Sequence, residues 1–295
     1  MTATTIDARQ AGTRSTGWLA LNAFGALLLR DLRVLTHSIG IFAARAITQP
    51  LLVVFVFAYV FPEIGQGIGG TTSQETQFAT LLAPGIMAVT VIMQGIQAVA
   101  LPLVNEFGYT REIEDRVMAP LPVWGVAVAK IVSGALQAAL SALVVVPLVL
   151  TIPTSPVIFD INWLELVAVG TLSCLLAGSL GLAIGTSFEP RQISLIFTII
   201  VIPMTFLGCV YYGWDRLASI EWLQWAVLAN PLVYLSEGFR MALTDVSHMS
   251  SAAIYGGLIG FTTILSWIGI IGFRKRVLAE GTSRAAVPST GRVIP

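Results

Sequence analysis

The residues in this chain that could carry out chemistry are few and widely spaced. The two histidines, His37 and His248, fall on opposite sides of the predicted membrane, so the sequence predicts no shared histidine metal site. The glycine-rich run at 65–70 lacks the Lys-Ser/Thr pair that grips phosphates, and no Walker sequence occurs. We therefore expect no catalytic residue, no metal and no cofactor in this chain.

The densest run of charge lies at 106–116, between two apolar blocks. Its charged residues are Glu106, Arg111, Glu112, Glu114, Asp115 and Arg116. Glu112 precedes Arg116 by four residues, which is the orientation that stabilises a helix. An ordinary solvated loop would have the same composition, and the charges alone do not decide between the two interpretations.

Polar residues inside the apolar blocks are mostly uncharged amides: Gln49, Gln94, Gln97 and Gln137. They are expected either to line a pathway for an amphipathic substrate or to hydrogen-bond between helices. The one acidic residue in any predicted span is Glu165, close to the outer interface. Proton-coupled transporters carry buried acidic relays, so the sequence predicts that energy for transport comes from elsewhere.

The elements that must position these residues are membrane helices. Of 295 residues, 56% are hydrophobic and only 11% are charged, whereas a soluble domain carries about 25% charged residues. Six apolar blocks are long enough to cross a bilayer, at 41–61, 78–103, 126–150, 163–186, 193–211 and 254–273. The sequence predicts an all-α integral membrane protein with six transmembrane helices, located in the plasma membrane.

The distribution of Lys and Arg predicts that both termini are cytoplasmic, because cytoplasmic loops retain positive charge. Residues 18–37 have the pattern of an amphipathic helix lying in the interface, and the alternative is a frayed extension of the first span. We expect three parts: a tail with this helix at 1–40, a six-helix bundle at 41–273 and a cytoplasmic tail at 274–295. In the fourth span, Ala177, Gly181 and Gly185 predict close helix packing, within the chain or across a dimer.

The last predicted external segment is long and aromatic rather than polar. Two short apolar helices, at 217–228 and 232–243, are expected to flank a break at Asn230 and Pro231, because proline resists helix continuation. They are interpreted as a re-entrant or interfacial hairpin. A seventh span would place Glu221, Glu237 or Arg240 in lipid, which is costly.

Several short motifs, taken in order, resemble the permease subunits of type-2 ABC exporters, the group that includes daunorubicin-type drug-efflux permeases and polysaccharide or lipid exporters. They are RDLR at 30–33, QPLL at 49–52, LAPGI at 82–86, the charged run continuing into MAPLP at 118–122, AKI at 129–131, NPLVY at 230–234 and EGFR at 237–240. The likeness covers nearly the whole chain.

This resemblance implies a separate cytoplasmic ATPase subunit that binds ATP and Mg, and two permease chains in the exporter. The charged run at 106–116 would form the coupling helix that docks on the ATPase. An outer gate region would comprise Trp225, Asn230, Pro231, Tyr234, Glu237 and Arg240. Membrane lipid is expected as a further partner, and nucleic acid is not. The alternatives are a membrane-embedded enzyme of lipid or cell-wall metabolism and an ion-coupled transporter.

Overall fold

The computed structural model describes residues 16–37, 39–64, 72–107, 122–153 and 157–285, and every regular element in these ranges is helical. The helices are α1 (Thr16–His37), α2 (Ile39–Val54), α3 (Thr72–Asn105), α4 (Val123–Thr151), α5 (Trp163–Ser187), α6 (Ile193–Ile196 and Ile202–Phe206, joined by the π-helical turn Phe197–Val201), α7 (Glu221–Ala226), α8 (Pro231–Leu243) and α9 (Ser251–Ala285). The predicted all-α architecture and the predicted helix before the first span are confirmed.

Five of the helical segments described are long and apolar enough to cross a membrane: Phe42–Val60, Phe78–Asn105, Val123–Thr151, Trp163–Ser187 and Ser251–Leu278. They coincide with five of the six predicted spans. The first runs through a second π-helical turn, Phe55–Val60, which continues α2. The last extends beyond the predicted limit, so that the predicted start of the tail at 274 falls inside the continuous helix α9.

The remaining predicted span, the fifth in chain order at 193–211, has a different form from the other five. Its helix α6 ends at Phe206, and at 1.5 Å per residue the stretch 193–206 measures about 21 Å, less than the ~30 Å hydrocarbon core. The predicted boundary at Tyr211 is therefore wrong. Residues beyond Leu207 are apolar because they are buried in protein: Cys209 and Val210 are buried, and a Cβ at Gly85 of α3 would lie 2.8 Å from the Cα of Val210.

The predicted hairpin is confirmed at its break and corrected in its packing. The predicted helix at 217–228 is divided into the 3₁₀ turn Trp214–Ser219, α7 and the 3₁₀ turn Val227–Ala229. The second helix, α8, follows Asn230 as predicted, but 11 of its 13 residues are buried. It packs against α3, α5 and α9, so it belongs to the core of the bundle rather than to an interface.

Small residues bring α3, α4 and α5 into close contact. A Cβ at Gly181 would lie 2.6 Å from the carbonyl oxygen of Gly95, and one at Gly185 would lie 3.0 Å from the Cα of Ala100. Ala177 contacts Gly95 in the same way. The Ala177, Gly181 and Gly185 stripe, for which the sequence left packing within the chain and across a dimer equally open, is thus used within the chain.

Replacing Gly181 with leucine is expected to lower the thermal unfolding midpoint of the detergent-solubilised protein. The side chain has no space against the α3 backbone, and overpacking of this kind costs about 1–3 kcal/mol. Gly260→Leu is the matched control, because a Cβ at Gly260 meets nothing within 4 Å. Equal midpoints for the two variants would contradict the close packing of α5 on α3.

Candidate functional site

Asn230 fixes the start of α8 and makes two side-chain hydrogen bonds, one within the helix and one to α6. Its Oδ1 accepts a hydrogen bond from the Leu232 N–H at 3.0 Å, which is the bond that an N-cap residue makes, and Pro231 occupies the first helical position. Its Nδ2 donates to the carbonyl of Met204 at 2.7 Å. One amide therefore begins α8 and also binds the end of α6.

Two further side chains of α8 bind the same stretch of backbone. Ser236 Oγ donates to the carbonyl of Gly208 at 2.6 Å, and Arg240 Nη2 donates to the carbonyl of Cys209 at 3.1 Å. The last carbonyls of a helix and those of the following turn lack helical partners. Cys209 has a positive φ of 53°, so the backbone turns sharply here. Side chains of α8 donate hydrogen bonds to the carbonyls of this turn that have no backbone partner.

Glu237 and Arg240 form an ion pair that is fully buried. Glu237 Oε1 accepts from Arg240 Nη1 and from the Trp214 N–H at 2.9 Å, while Oε2 accepts from the Met249 N–H at 2.8 Å. We call four residues the α8 polar network: Asn230, Ser236, Glu237 and Arg240. Their hydrogen bonds connect α8 to the chain segment that precedes it and, at Met249, to the segment that follows it. Ser236 was not predicted, because nothing in a lone serine signals its partner 28 residues away.

The remaining residues of the predicted outer gate region lie at the edge of this network. Tyr234 donates from its hydroxyl to the carbonyl of Leu228 at 3.0 Å, and its ring lies where a Cβ at Gly257 would sit, with Cγ 2.5 Å away. Burial raises the pKa of the Tyr234 phenol above its ordinary value. Trp225, in α7, is 71% exposed.

At the other end of the bundle, the two residues that directly follow α3, Glu106 and Phe107, contact other helices of the chain. Glu106 is buried and pairs with Lys130 of α4, Nζ to Oε1, at 2.9 Å. The ring of Phe107 lies 5.7 Å from that of Phe273, and the Arg276 guanidinium lies 5.4 Å from the Phe107 ring centroid. Glu106, Phe107, Lys130, Phe273 and Arg276 are here called the α3-end junction.

Arg276 extends this junction to the end of α5. Its Nη2 donates to the carbonyl of Phe188 at 2.7 Å. Glu106 therefore faces into the bundle, although the sequence placed it with the docking residues. The other residues of that set, Arg111, Glu112, Glu114, Asp115 and Arg116, lie outside the described residues. The sequence signal for this ion pair is the lone lysine in an apolar block, Lys130, because a buried ammonium group needs an acidic partner.

Gln94, Gln97 and Gln137, the three predicted glutamines whose side chains the structure describes, line neither of the two apolar cavities given below. Gln94 is 5% exposed, and its Nε2 has no acceptor within the ranges the structure describes. Gln97 and Gln137 are half-buried, and the side chain of Gln49 lies outside the described residues. Two apolar cavities, of about 540 and 320 Å³, are lined by other residues. Pathway lining by the glutamines therefore remains a prediction.

Taken together, the crossing helices and the short, buried α8 define a multi-pass helical membrane protein. Residues 22–244 match the family described as ABC-2 type transporter, a range that runs from α1 through α8. The chain belongs to this family and is a permease subunit, as the ordered motifs predicted.

Individual relatives agree with this assignment. The chain is similar to the inner membrane transport permease YadH of Escherichia coli K12, with 27% identity over 224 residues covering 74% of this chain and 82% of the relative. Proteins of the same name from Escherichia coli O157:H7 and Shigella flexneri match with the same identity and coverage.

Proposed function

We propose that this permease is the membrane subunit of an ATP-driven exporter, with ATP and Mg bound by a separate cytoplasmic ATPase. The chain is a multi-pass protein of the plasma membrane. In the proposed topology both termini are cytoplasmic. The sixth crossing, besides the five long helices, is made by the segment 193–211, in which α6 is continued by the turn that contains the buried Cys209 and Val210. Two permease chains and two ATPase chains would form the exporter. The substrate class is amphipathic: a drug, a lipid or a glycan-type molecule leaving the cytoplasm.

The observation that carries this proposal is the α3-end junction. The charged residues proposed to dock on the ATPase, Arg111 to Arg116, begin four residues after Phe107. Movement of that segment would therefore act first on Glu106 and Phe107, which directly follow α3. From there it reaches α4 through the Glu106–Lys130 pair and α9 through Phe273 and Arg276. A docked ATPase would in this way act on several helices at once.

The ion-coupled alternative has less support from the acidic residues of the bundle. Glu106 pairs with Lys130, Glu237 pairs with Arg240, and Glu165 accepts a hydrogen bond from the hydroxyl of Tyr255. A proton or ion relay needs carboxylates that exchange their partners during transport, whereas in this structure each of these three is engaged by a neighbouring side chain.

Co-purification tests the proposal. We expect an ATP-binding subunit to co-purify with the tagged full-length chain, and the double charge reversal E112K/R116E to reduce its recovery at least about tenfold, because docking pairs that reverse sign become repulsive. R216E is the matched control, since Arg216 is exposed on the proposed opposite side. Absence of any ATP-binding partner, or equal recovery with E112K/R116E, contradicts the proposal.

A further inference from the structure

An apolar groove of about 540 Å³ lies between α4 and α5. Its walls include Ala135, Ala139 and Val146 of α4 and Val167, Gly170 and Thr171 of α5. The Thr171 hydroxyl donates to the carbonyl of Val167 at 2.7 Å in its own helix, so this wall residue offers no donor to a ligand. Such a lining suits a hydrocarbon chain and gives a polar molecule nothing to bind.

The groove ends about halfway along α5, because the two helices touch there. A Cβ at Gly178 would collide with the carbonyl oxygen of Ile131, and one at Gly134 would lie 3.3 Å from the Cα of Gly178. From the start of α5 at Trp163 to Cys174, the last turn before this contact, the helix rises about 16 Å. That matches half of the ~30 Å hydrocarbon core, or one leaflet, and is too short for a second membrane-spanning helix.

A polar cavity of about 600 Å³ opens at the end of α5 where the groove begins. Its lining includes Asp160, Asn162, Leu164, Met241, Asp245 and His248. Leu164 and Val167 are three residues apart on α5 and share a helix face, so this face passes from the polar cavity into the groove. Together the two cavities have the polarity profile of a lipid: a polar end, then one leaflet of apolar wall.

The rim of the polar cavity is held in place and carries negative charge. Asp160 and Asn162 donate from their backbone N–H groups to the carbonyls of Leu243 and Ala242, both at 2.9 Å. The carboxylates of Asp160 and Asp245 make no ion pair within the described part of the chain. At the first turn of α5, Asn162 Oδ1 accepts from the Glu165 N–H at 3.4 Å, and the Glu165 carboxylate accepts from the Tyr255 hydroxyl. The N–H groups of Trp163 and Leu164 have no helical acceptor, and with the positive end of the helix dipole they favour a phosphate.

We propose that these two cavities form a binding site for a phospholipid whose headgroup carries an ammonium group. One acyl chain occupies the groove, the phosphate lies at the first turn of α5, and the ammonium lies by Asp160 and Asp245. Two carboxylates attract a cationic headgroup and repel one that is only anionic. The lipid belongs to the leaflet in which α5 begins. The site does not depend on an ATPase partner, so it stands or fails separately from the proposed function.

Native mass spectrometry of the full-length chain released from nanodiscs tests the site. The nanodiscs contain equal amounts of phosphatidylethanolamine and phosphatidylglycerol. We expect one retained phosphatidylethanolamine per chain, at a ratio over phosphatidylglycerol that falls about five- to tenfold in D160N/D245N, the range expected for losing two screened ion pairs. G170F should abolish retention, because a Cβ at Gly170 meets nothing within 4 Å and the ring would fill the groove.

G256F is the matched control, since Gly256 is an equally open glycine on α9, away from both cavities. Thermal unfolding midpoints near that of the wild type establish that the variants are folded. Retention in G170F equal to that in G256F overturns the groove assignment. Equal retention of the two lipids by the wild type, or no change in D160N/D245N, overturns the headgroup assignment.

Discussion

Replacing Arg240 with methionine is expected to destabilise this permease strongly. The substitution leaves the Glu237 carboxylate buried with only the Trp214 and Met249 N–H groups as partners, and it removes the donor to the Cys209 carbonyl. Removing one partner of a buried ion pair costs about 3–5 kcal/mol. The midpoint of thermal unfolding in detergent should fall accordingly, and membrane abundance should fall with it.

Two further variants make this prediction specific to the ion pair. R240K keeps the charge but cannot reach both Glu237 and Cys209, because a single ammonium lacks the fork of the guanidinium, so an intermediate loss is expected. R216M removes an exposed arginine from the segment between α6 and α8 and should leave the midpoint near the wild-type value. A midpoint for R240M that equals that of R216M would show that the buried pair does not hold α8 in place.

The second large effect is expected at the Glu106–Lys130 pair. Replacing Lys130 with glutamate puts two carboxylates in contact at the end of α3, where both side chains are less than a tenth exposed. Beyond a loss of stability of about 3–5 kcal/mol, we expect the purified complex to lose most of its ATP hydrolysis, because the segment that follows α3 is no longer held against α4.

The charge swap E106K/K130E separates a specific pair from a general defect. The swap again places opposite charges at positions 106 and 130, which are 24 residues apart in the sequence. We expect it to recover a substantial part of both the unfolding midpoint and the hydrolysis rate. K275M, which removes an exposed lysine from the same end of the bundle, is the control. If the unfolding midpoint and the hydrolysis rate of the swap equal those of K130E alone, the ion pair does not couple the charged segment to α4.

Much of the architecture was predictable because its signals are local. Five crossing helices follow from the length and hydropathy of their own residues. The break before α8 follows from Asn230 and Pro231, whose side chains act on the next turn of the same chain. Close packing by Gly181 and Gly185 was also visible from their spacing, although not that the partner would be α3 of the same chain.

What could not be predicted depends on contacts between distant segments. Apolar residues from Leu207 to Tyr211 extended the predicted span because hydropathy does not distinguish burial in protein from burial in lipid. The same ambiguity affected Glu237 and Arg240. They were kept out of the bundle because isolated charges are costly in lipid, yet each offsets that cost for the other, and backbone groups from both flanking segments complete the network.

The central claim is that the charged segment after α3 contacts an ATPase on the cytoplasmic face. Cysteine cross-linking in intact cells tests it most directly, since the natural cysteines, Cys174 and Cys209, are both buried and give little background. In E112C, a thiol-directed cross-linker should join this chain to an ATP-binding subunit, whereas S250C, at an exposed position of the proposed external segment, should give no such product. Cross-linking of the ATPase to S250C, or to neither position, would contradict the account.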